Sequence, residues 1–207
     1  SVSHVFRYDV SANTITQMTA AGGGQPGGSN PVLSDDGVAV VYGRAFTTAV
    51  TLSAGGAEQV IDTNQGTGEY RFAGSSKNVL LASSAALVPG DNNGFFDVYL
   101  ATTGASPTIT LLSVFFKPAG VLPANGSSLL PAMSADQQTL VFATSAQNLS
   151  GVVSDPTSMV MQRDEEYTLL TAADTGVTAH GSSTRPVCST DGRYVVFTSD
   201  AEDLTVD

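Results

Sequence analysis

Ser189-Thr-Asp-Gly-Arg-Tyr-Val-Val-Phe197 is a phrase that the chain writes three times and half-writes once. The other full copies are Ser34-Asp-Asp-Gly-Val-Ala-Val-Val-Tyr42 and Ser134-Ala-Asp-Gln-Gln-Thr-Leu-Val-Phe142. A degenerate copy is Phe72-Ala-Gly-Ser-Ser-Lys-Asn-Val-Leu80. Self-similarity at a period of tens of residues means that one supersecondary unit is stacked repeatedly. Within the phrase, Asp at a turn accepts hydrogen bonds from nearby backbone N–H groups, and Gly supplies positive φ. The β-rich run that follows ends in an aromatic residue able to pack between neighbouring sheets. Asp36, Asp136 and Asp191 therefore read as structural carboxylates rather than as a catalytic pair.

Working outward from the phrase, short β-rich runs alternate with turn chemistry along the whole chain. Val5–Val10 and Thr14–Met18 flank Ser11-Ala12-Asn13. Pro31–Leu33 with Val38–Tyr42, and Ala49–Leu52 with Gln59–Ile61, form the next pairs. Tyr70–Ala73 with Asn78–Ala82, and Phe95–Ala101 with Thr108–Val114, follow. Pro131–Met133 with Thr139–Thr144, Met159–Gln162 with Tyr167–Thr171, and Pro186–Cys188 with Tyr194–Thr198 complete the series. No stretch keeps a helical period beyond about two turns. These runs make four groups of four, and a four-stranded antiparallel sheet is one blade of a β-propeller.

The expected fold is thus all-β: a propeller of four blades with four antiparallel strands each, or a four-blade segment of a larger propeller. Residues 1–207 form a single domain with repeat units starting near 31, 70, 131 and 186. The N-terminal residues 1–20 are expected to complete the last blade, with Val5–Met18 pairing to Pro186–Thr198. That closure would hide both edge strands, which otherwise template aggregation. The copies are unevenly spaced, and the extra length lies after the second strand, in Ser83–Gly94 and Ser145–Pro156. Insertions at one point of a repeat map to loops on one face, which is the expected binding face.

Composition narrows the partner. The chain carries 19 acidic and 8 basic residues, a formal charge of −11, which repels phosphate backbones and anionic lipid. Nucleic acid and membrane insertion are not expected, and no apolar run reaches the roughly 18–20 residues that span a bilayer. Cys188 is the single cysteine, so no intrachain disulfide forms, and it reads as a small buried hydrophobe.

The repeats are similar to the TolB-type, WD40-like propeller repeats of bacterial envelope and secreted proteins. The matching residues are Pro186–Ser199 with Ala201-Glu-Asp-Leu204, Pro131–Leu149, Pro31–Tyr42, and Leu87-Val-Pro-Gly-Asp-Asn-Asn-Gly-Phe-Phe-Asp-Val-Tyr99. The chain departs from the pattern at Phe72-Ala-Gly74, where Ser and Asp are missing, and has fewer repeats than is usual for that family. The resemblance implies a fold and a periplasmic or extracellular setting, not an activity, because propellers host binding modules and enzymes alike.

No residue pattern names a reaction. There is no Gly-x-Ser-x-Gly elbow. His4 and His180 are the only histidines, too few with one Cys for an ordinary zinc site. The strongest local candidate is Asp91-Asn-Asn-Gly-Phe-Phe-Asp97, where Asp91, Asn93 and Asp97 offer oxygen ligands of the kind calcium takes. The glycine comes too early for an EF-hand and no Glu stands at the twelfth position. The plainer reading is an Asn- and Asp-rich turn entering the third strand. No other cofactor is expected. The acidic end, Asp200, Glu202, Asp203 and Asp207, reads as a solvated terminus. The sequons at Asn125 and Asn148 are discounted in a bacterial context. The Gly-rich stretch Ala21–Ser29 reads as a flexible connection.

The expected function is a non-catalytic interaction module that binds a protein partner or larger assembly through its loop face. Pro89, Asn92, Phe95, Phe96, Asn148 and Asp155 are the candidate contact residues. The alternative is a carbohydrate-active or glycan-binding propeller with a carboxylate-lined central channel. Converging Asp or Glu side chains in that channel would distinguish the two.

Overall fold

Each copy of the repeated phrase becomes an antiparallel strand pair with a tight turn between. The computed structural model describes residues 3–19, 27–44, 50–54, 57–62, 69–74, 77–103, 106–117, 120–149, 158–173 and 179–204. Those residues contain no helix.

The chain begins with a hairpin, β1 (Phe6–Asp9) and β2 (Thr14–Gln17). A blade follows, from β3 (Gly28–Leu33), β4 (Ala39–Arg44), β5 (Val50–Ala54) and β6 (Ala57–Asp62). The next is β7 (Tyr70–Phe72), β8 (Asn78–Ser83), β9 (Asp97–Thr102) and β10 (Thr108–Leu111). A hairpin, β11 (Val114–Lys117) and β12 (Gly120–Pro123), precedes the third blade. That blade is β13 (Ser128–Met133), β14 (Leu140–Thr144), β15 (Ser158–Arg163) and β16 (Glu166–Leu169). The hairpin β17 (Ser183–Cys188) and β18 (Val195–Ser199) comes last. All pairings are antiparallel between sequence neighbours, and each full blade runs in the order of its strands.

The expected closure of β1–β2 onto β17–β18 is not among these pairings: the two hairpins are separate two-stranded sheets. Each is held by the face of the adjacent blade rather than by the edge of the other. Val5 and Met18 bury against Val40 and Tyr42 of the first blade. Val195 and Phe197 pack on Val141, Ala143 and Met159 of the third. The described residues therefore form three complete blades flanked by two half-blades, a propeller arc.

The hydrophobic core lies between sheets. One cluster joins Ala39 and Val41 to Tyr70, Leu81 and Tyr99 across the first two blades, and another joins Leu80 and Val98 to Leu140, Phe142 and Val160 across the next pair. In the three complete blades, alternate residues of the second strand face opposite neighbours, so the strand is apolar on both faces and largely buried. The hairpin β11–β12, which the strand pattern does not predict, is tied to the third blade by Tyr167. Its hydroxyl donates to Leu112 O at 3.1 Å and accepts from Val114 N–H at 3.3 Å. Its ring stacks on Phe116 and meets Phe142 edge-on.

The turns of the three full copies share one network. Ser34, Ser134 and Ser189 donate to Asp36, Asp136 and Asp191 at 2.6–2.7 Å. The same hydroxyls accept from Ala39, Thr139 and Tyr194 N–H at 2.9–3.0 Å. Each Asp also accepts from the N–H two residues on, at 3.0–3.1 Å. The serine hydroxyl, then the backbone N–H, holds the Asp136 and Asp191 carboxyls below their usual range. The degenerate copy is shifted by one residue from the sequence reading. Ala73 N–H bonds Asn78 O as Ser34 N–H bonds Ala39 O, so Ala73, not Phe72, stands at the serine position.

Gly37 and Gly192 sit at φ 70° and 66° in this turn, and Gln137 is forced into the same left-handed conformation at 62°. An L side chain there costs about 1 kcal/mol relative to glycine. Gln137→Gly is expected to raise stability by about that amount, as a higher denaturation midpoint; an unchanged or lower midpoint would contradict the assignment.

The innermost strands of three repeats share a bulge. Asn30, Leu130 and Arg185 have φ of 49°, 53° and 55°, each just before a proline, and the register shifts there. Proline has no N–H to give a ladder, which suits a bulge. The sequence reading starts these strands at the proline; they begin three residues earlier.

Candidate functional site

One end of the arc gathers the loops. β8 ends at Ser83 beside the start of β9 at Asp97. Ser128 at the start of β13 lies beside Thr144 at the end of β14, which lies beside Ser158. Loop 84–96, the chain after Thr144 and the connections into β13 and β17 thus share one face. The turns of the repeated phrase sit on the other.

Loop 84–96 is built on buried polar groups. The Ser83 hydroxyl accepts from Ala85 N–H at 3.0 Å and starts the turn. Tyr99, fully buried on β9, sends its hydroxyl to Asp91 Oδ2. Asp97 is fully buried, accepting from the Ser113 hydroxyl at 2.5 Å and from Asn93 Nδ2 at 2.7 Å. The Asn93 amide also donates to Ala124 O at 2.8 Å, and its Oδ1 accepts from Phe95 N–H at 2.8 Å. Burial pushes the Asp97 carboxyl up to about 6, against the opposing pull of those donors and with help from the nearby Asp91 charge. Burial and the Asp91 carboxylate raise the Tyr99 phenol as well. Asp91, Asn93 and Asp97 lie within one hydrogen-bonded network. In this arrangement their oxygens face protein donors, and a calcium ion would need Asn93 Nδ2 turned away from Asp97. Among the described residues no group of three or more His, Cys, Asp or Glu side chains is placed to hold a metal.

What the framework displays is the loop rim. Pro89, Asn92 and Phe95 are exposed. Phe96 is half-buried, and its carbonyl accepts from Ser128 N–H at 2.6 Å, tying the loop to the next blade. Asn148 is a brace: its Oδ1 accepts from Asn125 N–H at 2.9 Å and its Nδ2 donates to Pro123 O at 3.0 Å. Asp155 lies outside the described residues, as does most of the second insertion. So do Ala21–Pro26 of the Gly-rich stretch.

Sequence reasoning missed a second repeat that fixes this face. Ala124-Asn-Gly-Ser-Ser128 and Ala179-His-Gly-Ser-Ser183 precede the last two innermost strands. In the first, Asn125 Oδ1 accepts from Gln147 N–H at 2.7 Å. In the second, His180 N–H donates to Asp203 at 3.0 Å and its Nδ1 lies 2.9 Å from Asp203 Oδ2. The His180 contact holds the Asp203 carboxyl low. A Cβ on Gly126 or Gly181 would fall 2.8 or 2.4 Å from the facing loop backbone, so both positions require glycine. The signal that could have found them is the Ser-x-Ala or Thr-x-Ala that stands at the end of β8, β14 and β18. Thr144 and Ser199 hydroxyls accept from Ala146 and Ala201 N–H, as Ser83 does from Ala85. His4 belongs to the same layer, with Nδ1 3.1 Å from Thr19 Oγ1. Cys188 is only half-buried, and burial raises its thiol.

Among the described residues, the innermost strands offer no carboxylate pair. β3, β13 and β17 contain no Asp or Glu, and neither does β7. Glu69, just before β7, accepts from Leu130 N–H at 2.8 Å and lies near Arg71, which reaches Pro186 O at 3.3 Å.

Sheets stacked face to face around inner strands that follow one another, with hairpin links and loops at one end, define a β-propeller. Two solved structures are similar over almost the whole chain. TolB from Acinetobacter baumannii is 16% identical over 97% of this chain and 49% of its own, with a TM-score of 0.50. A putative TolB from Agrobacterium tumefaciens is 15% identical over 93% of this chain and 60% of its own, with a TM-score of 0.54. The fold is a TolB-like β-propeller. The chain spans about half the length of the first of these proteins and three fifths of the second. No family model matches the chain, and no curated protein matches it. Among the described residues no helix is long and apolar enough to cross a membrane.

Proposed function

We propose that the chain is a non-catalytic interaction module of a bacterial extracytoplasmic protein, binding a protein partner through the face that carries loop 84–96. The observation that carries this reading is the contrast within that loop. Its base is pinned by buried Asp91, Asp97 and Tyr99, while Pro89, Asn92 and Phe95 stand in solvent. A rigid base with an exposed aromatic tip presents contact area at little entropic cost, as binding surfaces do. The acidic balance of the chain favours a partner with a basic face. The glycan-enzyme alternative has less support, because the innermost strands supply no paired carboxylates. The periplasmic or extracellular setting rests on the repeat resemblance.

A photo-crosslinking side chain at Phe95, compared with one at Asp164 on the opposite face, tests the reading in envelope-bearing cells that express the chain. A discrete protein adduct from position 95 and none from 164 is the expected result. Equal labelling from both faces, or none from 95, would overturn it.

A further inference from the structure

The hairpin β11–β12 lies between two complete blades, and only one of its strands is held by them. Phe116 of β11 stacks on Tyr167, and Phe115 packs against the cluster that joins the second and third blades. On β12, Val121 is 56% and Leu122 46% exposed, and the strand pairs only with β11 among the described residues. Two strands alone are marginal in water, and further strands are what such a hairpin lacks.

The hydrogen bonds at the hairpin's base fix which backbone groups face out. Val114 and Pro123 oppose each other, yet Val114 N–H turns to the Tyr167 hydroxyl at 3.3 Å and Pro123 O to Asn148 Nδ2 at 3.0 Å. Along an antiparallel strand, backbone groups alternate between inward and outward. Val121, two residues from Pro123, therefore turns its N–H and C=O outward on the same side as Pro123 O. Asn148 closes that edge at Pro123, which leaves Gly120–Leu122 for pairing.

Charge decides what can approach. Residues 98–135 hold none of the 19 acidic residues and one basic residue, Lys117. The outer strands of the first and third blades carry Glu58 and Asp62, and Glu166, charges of the kind that guard an edge. The outer strand of the second blade, β10, exposes Thr108 and Thr110. By comparison β12 is unguarded, and its exposed side chains are apolar. A chain of charge −11 repels its own copies wherever carboxylates meet, and here two copies can touch without that cost. A basic partner would find no carboxylate on this stretch.

We propose that β12 is the contact between two copies of this chain, pairing antiparallel with its own equivalent across a two-fold axis at Val121. Val121 N–H and C=O of one copy bond those of the other. Leu122 then lies opposite Gly120 of the second copy, where a Cβ would have nothing within 4 Å. The two hairpins become one four-stranded sheet through an isologous contact. So short a strand buries less than a standard interface, and the dissociation constant is expected near about 0.1 mM. The contact does not use the tip of loop 84–96, so it stands independently of the partner reading.

The test combines mass and register. Sedimentation of the unaltered chain from about 10 µM to about 1 mM is expected to move from the 21.1 kDa protomer toward twice that mass. Val121→Lys sets two like charges on the axis and is expected to weaken association at least tenfold, with an unchanged circular dichroism spectrum. In a Cys188→Ser background, Val121→Cys is expected to oxidise to a linked dimer at least tenfold faster than Thr110→Cys on the neighbouring edge. A monomer throughout that range overturns the proposal. So does a dimer indifferent to Val121→Lys, or equal linking from the two cysteines.

Discussion

Replacing Phe142 by alanine is expected to lower stability by about 3–5 kcal/mol, the range for emptying a buried aromatic site. Phe142 is fully buried, belongs to the cluster that joins the second and third blades, and meets Tyr167 edge-on with ring centroids 6.1 Å apart. Its loss would open a cavity on an inter-blade surface and remove the support of the ring that anchors β11–β12. The chain has no Trp, so the midpoint is read in denaturant by far-UV circular dichroism. The last copy of the phrase supplies the control. Phe197 occupies the same position but is only half-buried, and Phe197→Ala is expected to cost about half as much. Equal losses at the two positions would mean that the terminal hairpin is covered in solution in a way the single chain does not show.

The second large effect is a pH dependence centred on Asp97. Its carboxyl is pushed up to about 6 in the folded chain, from 3.8 when unfolded. The sign is that of a buried acid. Below pH 3.8 the group is protonated in both states and costs nothing. As pH rises toward 6, the unfolded chain ionises first and gains on the folded one. Above pH 6 the penalty is complete, about two pKa units or roughly 3 kcal/mol. Asp97→Asn keeps an acceptor for Asn93 and a partner for Ser113 while removing the charge. Its stability relative to the parent is therefore expected to improve by about 2–3 kcal/mol between pH 4 and pH 7. A difference that does not vary with pH would show that Asp97 does not titrate in that range. The same melts with millimolar calcium decide whether the loop takes an ion: a bound ion would raise the parent's midpoint and leave that of Asp97→Asn unchanged.

The blades were legible because their rule is local. Ser, Asp and a left-handed residue lie within four positions of one another, and the strand they launch carries its own apolar run. The ends of the arc were not legible, because hairpins such as Val5–Met18 look the same in sequence whether a blade face or another strand receives them. The β11–β12 hairpin escaped for a related reason. Phe115 and Phe116 show no clean alternation, and the hairpin is fixed by Tyr167, some fifty residues away. At the candidate site, Asp91, Asn93 and Asp97 were visible as a polar cluster. That Tyr99 and Ser113 are their partners depends on strand pairing, which a linear pattern does not display. Asn125 and His180 were hidden differently: their phrase repeats only twice, and two unlike side chains do the same bracing work.

The last three of the turns opposite the loops touch in series. A Cβ on Gly74 would fall 2.0 Å from Ala135 O, and Ala135 N–H in turn bonds Thr190 O at 3.0 Å. A residue inserted in one turn would push directly on the next, and the shift would be handed from blade to blade. Nothing comparable constrains the tip of loop 84–96, where Gly90 and Gly94 have open space around them. The two faces therefore differ in how much new sequence they can absorb. A tag or graft belongs at Gly90, clear of buried Asp91 and braced Asn93, whereas an insertion in the packed phrase turns would be strongly destabilising.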